Sequence, residues 1–114
     1  MIVRNATRDK SLGEEIGEAS NFLGRLKGLL GVEELVPGAG IWIHPCNSIH
    51  SFGMRFEFDA LFLDAEGQVV GAYSRYQRNR ISRIHRNARG VLELPAGIIE
   101  ATGTEVGDAI VFEA

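Results

Sequence analysis

The chain has 114 residues, 45% of them hydrophobic and 24% charged, with a formal charge of −3 at pH 7. That balance fits one globular domain around a single core and excludes a disordered or fibrous chain. No run of about eighteen apolar residues occurs, which excludes a helical membrane span, and the 14 glycines favour short strands and turns over long helices.

In chain order, residues 2–7 read as a first strand, 10–13 as a turn and 14–19 as a second strand. Ser20 suits an N-cap, and Phe22, Leu23, Leu26, Leu29 and Leu30 then make one apolar stripe, predicting a helix over residues 21–30 closed by Gly31. Residues 41–44 form a strand ended by Pro45, and residues 46–53 a polar connection. Residues 56–63 alternate most clearly: Phe56, Phe58, Ala60 and Phe62 line one face, Glu57, Asp59, Leu61 and Leu63 the other. Asp64-Ala65-Glu66-Gly67 makes a hairpin turn into a strand over residues 68–76. An arginine-rich connection follows, then a strand at residues 91–94 stopped by Pro95, a glycine-punctuated loop over 97–107 and a last strand over 109–113. Connections this short predict an α+β domain of at least five mostly antiparallel strands with one short packed helix, spanning residues 1–114.

The opening MIVRNATRDKSLGEE lacks an apolar run behind a basic end, so it does not read as a signal peptide. Cys46 is the sole cysteine and cannot close an internal disulfide, which makes the cytoplasm the expected compartment.

Several blocks in fixed order carry a family resemblance: Arg25 with Gly28-Leu29-Leu30, the stretch IWIHPCNSIHSFGMRFEFD, Asp59 leading into LFLD-x-x-G-x-V, then LELPAG and Gly107-Asp108. Together they resemble the DUF192 (UPF0127) family of uncharacterised prokaryotic proteins. Glu57-Phe58 stands where most members have a small residue or proline before the aspartate. The resemblance implies a compact α+β fold dominated by a curved, barrel-like sheet, and it implies no reaction, cofactor or ligand.

Three constellations could carry chemistry. His44, Cys46, His50 and Met54 offer imidazole, thiolate and thioether, ligands that suit copper or zinc. The plainer alternative makes Cys46 a small buried apolar residue, Met54 core filler and His50 a hydrogen-bonding partner. Cys46, His50 and Asp59 supply the thiol, base and orienting carboxylate of a nucleophilic site, although no nucleophile motif accompanies them. Asp59 shares a face with Leu61 and Leu63, so it is expected to be buried and to take hydrogen bonds from the preceding connection or from His50.

The third constellation is electrostatic. Between Gly67 and Leu92 there is no acidic residue, yet Arg75, Arg78, Arg80, Arg83, Arg86 and Arg89 all fall there. Guanidinium forks bind phosphate and carboxylate, and Tyr73 and Tyr76 stand at the entry to the segment. The competing account pairs these arginines with Glu93, Asp64 or Glu66. A sequence pI of about 5.6 argues against a nucleic-acid partner, and neither a Walker nor a dinucleotide fingerprint occurs. The favoured reading is a non-enzymatic binding module. It would present the 46–54 connection and an exposed, mobile basic segment (Arg78, Arg80 and Arg83 foremost, Ile81 and Ile84 its sole anchors) to an anionic small molecule or an acidic protein surface. The alternative is a metal or thiol site centred on Cys46, His50 and Asp59.

Overall fold

The computed structural model describes residues 1–21 and 35–114. The strands are β1 (Ile2–Asn5), β2 (Lys10–Gly13), β3 (Glu15–Ala19), β4 (Ala39–Ile43), β5 (Phe58–Leu63), β6 (Val69–Tyr76), β7 (Gly90–Pro95) and β8 (Ile110–Glu113), with one short helix, α1 (Ile98–Thr102), between the last two. The helix expected over residues 21–30 lies almost wholly outside the described residues.

Two sheets form, ordered β2-β1-β8 and β3-β4-β7-β5-β6. Only β3 and β4 run parallel among the described strands, so the domain is mostly antiparallel as the short connections require. Among the described strands the sheets stay open rather than closing into a barrel.

β5 and β7 sit at the centre of the larger sheet, and all six residues of each are buried. Leu61, Leu63, Leu92 and Leu94 face a core shared with Val3, Leu12 and Ile110 of the smaller sheet. Phe58, Ala60, Phe62 and Val91 face a second core with Ile43, Ile49 and Met54. Burying a large apolar side chain stabilises by about 1.5–3 kcal/mol, so the two phenylalanines anchor the second core.

Two sequence expectations fail locally. Residues 10–13 are a strand, not a turn: Lys10 pairs with Asn5, Ser11 with Arg4, and Leu12 is buried in the core. The chain reverses instead over residues 6–9, where Asp9 takes a left-handed conformation (φ 54°). Residues 97–107 are not all loop, because α1 starts after Gly97 (φ 101°) and stops at Gly103 (φ 69°). Five residues are too few for helical periodicity to show in a sequence. Its first turn exists because a distant carboxylate accepts its amides.

Candidate functional site

That carboxylate is Asp59, which is fully buried. Its Oδ1 accepts the Arg75 amide at 2.8 Å, and its Oδ2 accepts the Ile99 amide at 2.7 Å. The Gly97 amide lies 3.2 Å from both oxygens. The expected partners, His50 and the preceding connection, are not the ones used. Arg75 sits at a bulge in β6, where Phe58 pairs with Tyr76 but Ala60 pairs with Tyr73, one residue more on the β6 side. Arg75 has φ 53°, and the bulge frees its amide for Asp59. Strict alternation would put Tyr73 and Tyr76 on opposite faces; the extra residue brings both to the face of the second core, where their rings meet edge to face at 5.5 Å.

Tyr73 then holds the basic segment. Its hydroxyl lies 2.7 Å from His85 Nε2 in a hydrogen bond, and the imidazole stacks on Phe62 with ring centroids 4.3 Å apart. The ring occupies the space above Gly71, where a Cβ would come within 2.6 Å of it. Burial lowers the His85 pKa below its ordinary value, with the nearby Arg83 charge acting in the same direction.

Beside His85 the two long connections run together. Buried Ser51 donates its hydroxyl to Gln77 O at 2.6 Å and accepts the Arg80 amide at 2.8 Å, while its own amide donates to Arg80 O at 2.8 Å. The Ser82 amide donates to Ile49 O, the Ile49 amide to Ser82 Oγ, the His85 amide to Asn47 O and the Cys46 amide to Arg89 O. Ile81 and Ile84, the anchors expected from sequence, are instead 71% and 61% exposed. Polar groups do the anchoring: Ser51, Ser82 and His85. Arg78, Arg80, Arg83, Arg86 and Arg89 are exposed around this double connection. Among the described residues none of the six arginines forms an ion pair, so the pairing with Glu93, Asp64 or Glu66 does not occur. A depression of about 540 Å³ lies beside Arg78, with Arg55, Phe56 and Asn79 in its wall.

The sulfur and imidazole candidates do not converge. Met54 is buried in the second core, as the plainer reading had it. His44 is held by Glu18 and stacks on Trp42. Cys46 Sγ, half-buried, donates to Ser48 O at 3.0 Å. His50 is exposed and stacks on Phe52. Among the described residues no three His, Cys, Asp or Glu side chains are grouped to hold a metal ion, and Asp59 orients neither His50 nor Cys46.

Two ionisable groups that the sequence suggested as partners or neighbours of the arginines are instead enclosed on the side of the second core, Glu93 and Tyr76. Glu93, on β7, lies between Ile41 and Ala60 of the neighbouring strands and is only 6% exposed. It meets no hydrogen-bond donor or cation among the described residues, and burial alone pushes its carboxyl up to about 8. The signal was present: a strand reading Val-Leu-Glu-Leu has an apolar residue at every position but one, the pattern of a strand buried on both faces. The Tyr76 hydroxyl is also enclosed without a partner among the described residues, and its pKa is raised, first by burial and then by Tyr73.

The class this arrangement defines is a small two-sheet α+β domain whose two longest described connections are laced together over one face. The chain belongs to the DUF192 family, described as uncharacterized ACR, whose model matches residues 3–112. A UPF0127 protein of Thermococcus gammatolerans is 31% identical over 117 residues, covering 98% of this chain and 75% of that one. A UPF0127 protein of Pyrococcus furiosus is 32% identical over 111 residues, with 93% of each chain covered. The fold also matches the crystal structure of a protein of unknown function from Novosphingobium aromaticivorans with a TM-score of 0.83, at 16% identity, covering 97% of this chain and 82% of that one. Among the described residues no helix is long and apolar enough to cross a membrane.

Proposed function

We propose that this domain is a binding module whose laced connections present Arg78, Arg80 and Arg83 to an anionic ligand or to an acidic surface of a partner protein. One observation carries the reading. These guanidinium groups project from a backbone fixed by Ser51, Ser82 and His85, yet none is neutralised by a carboxylate among the described residues. A rigid frame reduces the ordering cost of binding, and guanidinium forks without an ion pair among the described residues can take phosphate or carboxylate oxygens.

Phosphocellulose retention tests the proposal. The wild type elutes at a salt concentration that falls when Arg78, Arg80 and Arg83 are all replaced by Ser, because each lost contact removes part of the counterion-release term. The melting temperature stays nearly unchanged, since the anchoring bonds of this segment use backbone groups, Ser51, Ser82 and His85 rather than these three side chains. Equal elution of the two proteins defeats the reading, and a large loss of stability assigns the arginines to the fold.

A further inference from the structure

Away from the laced connections, a cleft of about 570 Å³ lies between β4, the β5–β6 turn and β8. Trp42, Ile110 and Phe112 form its apolar wall, with the indole and phenyl centroids 5.0 Å apart. Its polar lining carries charges of both signs: Arg89, Asp64 and Glu66. No two of these pair with one another, and none has an ion pair among the described residues. Asp64 Oδ1 is engaged by the Glu66 and Gln68 amides at 2.9 Å each, which leaves Oδ2 to accept another donor.

A simple anion would meet two carboxylates here, and a simple cation would meet a guanidinium. A purely apolar ligand would leave all three charges to be desolvated without compensation. A zwitterion with an apolar body satisfies every wall at once. We infer that this cleft binds a free α-amino acid with an apolar or aromatic side chain. Its carboxylate pairs with Arg89, its ammonium with Glu66 and Asp64, and its side chain lies against Trp42, Ile110 and Phe112. The volume falls within the range of small-molecule sites, which combine an apolar lining with a few polar groups that set orientation. The inference is independent of the anion-binding reading, which rests on other arginines.

Trp42 is the only tryptophan, so its fluorescence reports occupancy directly, and titration calorimetry detects binding that leaves the indole unchanged. L-phenylalanine and L-leucine give saturable binding. N-acetyl-L-phenylalanine, which lacks the ammonium, and L-phenylalaninamide, which lacks the carboxylate, bind about tenfold more weakly, the value of one charge-assisted pairing. Arg89→Ser abolishes the discrimination between L-phenylalanine and its amide, and Glu66→Gln narrows the gap to the N-acetyl compound. Absence of saturable binding of either amino acid by both methods overturns the inference. So does equal binding of L-phenylalanine and its two capped analogues, which leaves a plain apolar groove, or an Arg89→Ser protein that still discriminates.

Discussion

Asp59 and Glu93 stand on adjacent paired strands, both carboxyls lie in the interior, and the chain treats them in opposite ways. Asp59 lies on the side of the first core and gathers three backbone amides from two distant segments. Glu93 lies on the side of the second core and gathers nothing among the described residues. The difference teaches that burial alone does not set the role of a carboxyl: the donors within reach decide whether it ties distant segments together. Asp59 is a structural keystone whose acceptor oxygens shape a bulge and start a helix. Glu93 is a carboxyl held in an apolar setting that favours its neutral form.

The largest expected effect comes from removing the keystone. Asp59→Ala strands the Arg75, Gly97 and Ile99 amides and should cost about 3–4 kcal/mol, measured by urea unfolding; Asp59→Asn, which keeps one acceptor, should cost about 1–3 kcal/mol. Nuclear magnetic resonance of the folded Asn variant should show the largest shifts at Arg75, Tyr73 and His85, along the path from carboxylate to bulge to imidazole. Shifts confined to residues 46–54 would contradict that path.

Glu93 gives the opposite test, through pH. Folded, it keeps its proton up to about pH 8, whereas the unfolded chain releases it above 4.5. The folded state therefore holds the extra proton throughout that window. Stability should fall as pH rises from 4.5 to about 8 and level off outside it, by roughly 5 kcal/mol in all. Glu93→Gln removes this fall, so the difference between the two proteins isolates it from other titrations. A wild type and variant with parallel pH profiles would show that Glu93 is ionised in the fold.

Tyr76 provides the smallest effect and extends the contrast to an uncharged group. Its hydroxyl is enclosed without a partner among the described residues, so Tyr76→Phe should leave stability unchanged or raise it by about 1 kcal/mol. Tyr73→Phe, which breaks the bond to His85, should lower stability by about 1 kcal/mol. Equal losses for both would mean that Tyr76 also has a partner in solution.

Much of the frame was legible because it rests on local pattern. The alternation of residues 56–63, the Asp64 to Gly67 turn and the apolar run ended by Pro95 all appear where the sequence puts them, since period-two burial and turn chemistry need no distant partner. The site was legible only in outline. Asp59 stood out as a carboxylate among leucines and is indeed buried, but its partners lie sixteen, thirty-eight and forty residues downstream. No spacing rule reaches that far. Ile81 and Ile84 looked like anchors on hydrophobicity alone, yet Ser51 and His85, polar residues, were buried in their place because each found a hydrogen-bond partner across the connection.

By itself the sequence determined the family, the α+β class, the position of the central strands and the concentration of arginines between residues 75 and 89. The tertiary structure decided which polar groups meet. It turned Asp59 into a brace, buried Glu93 where its neutral form is favoured and tied His85 to Tyr73. The physical reason is that apolar burial is non-directional and can be read from composition and period. A hydrogen bond is directional and short, and it depends on where the backbone of a remote segment happens to pass.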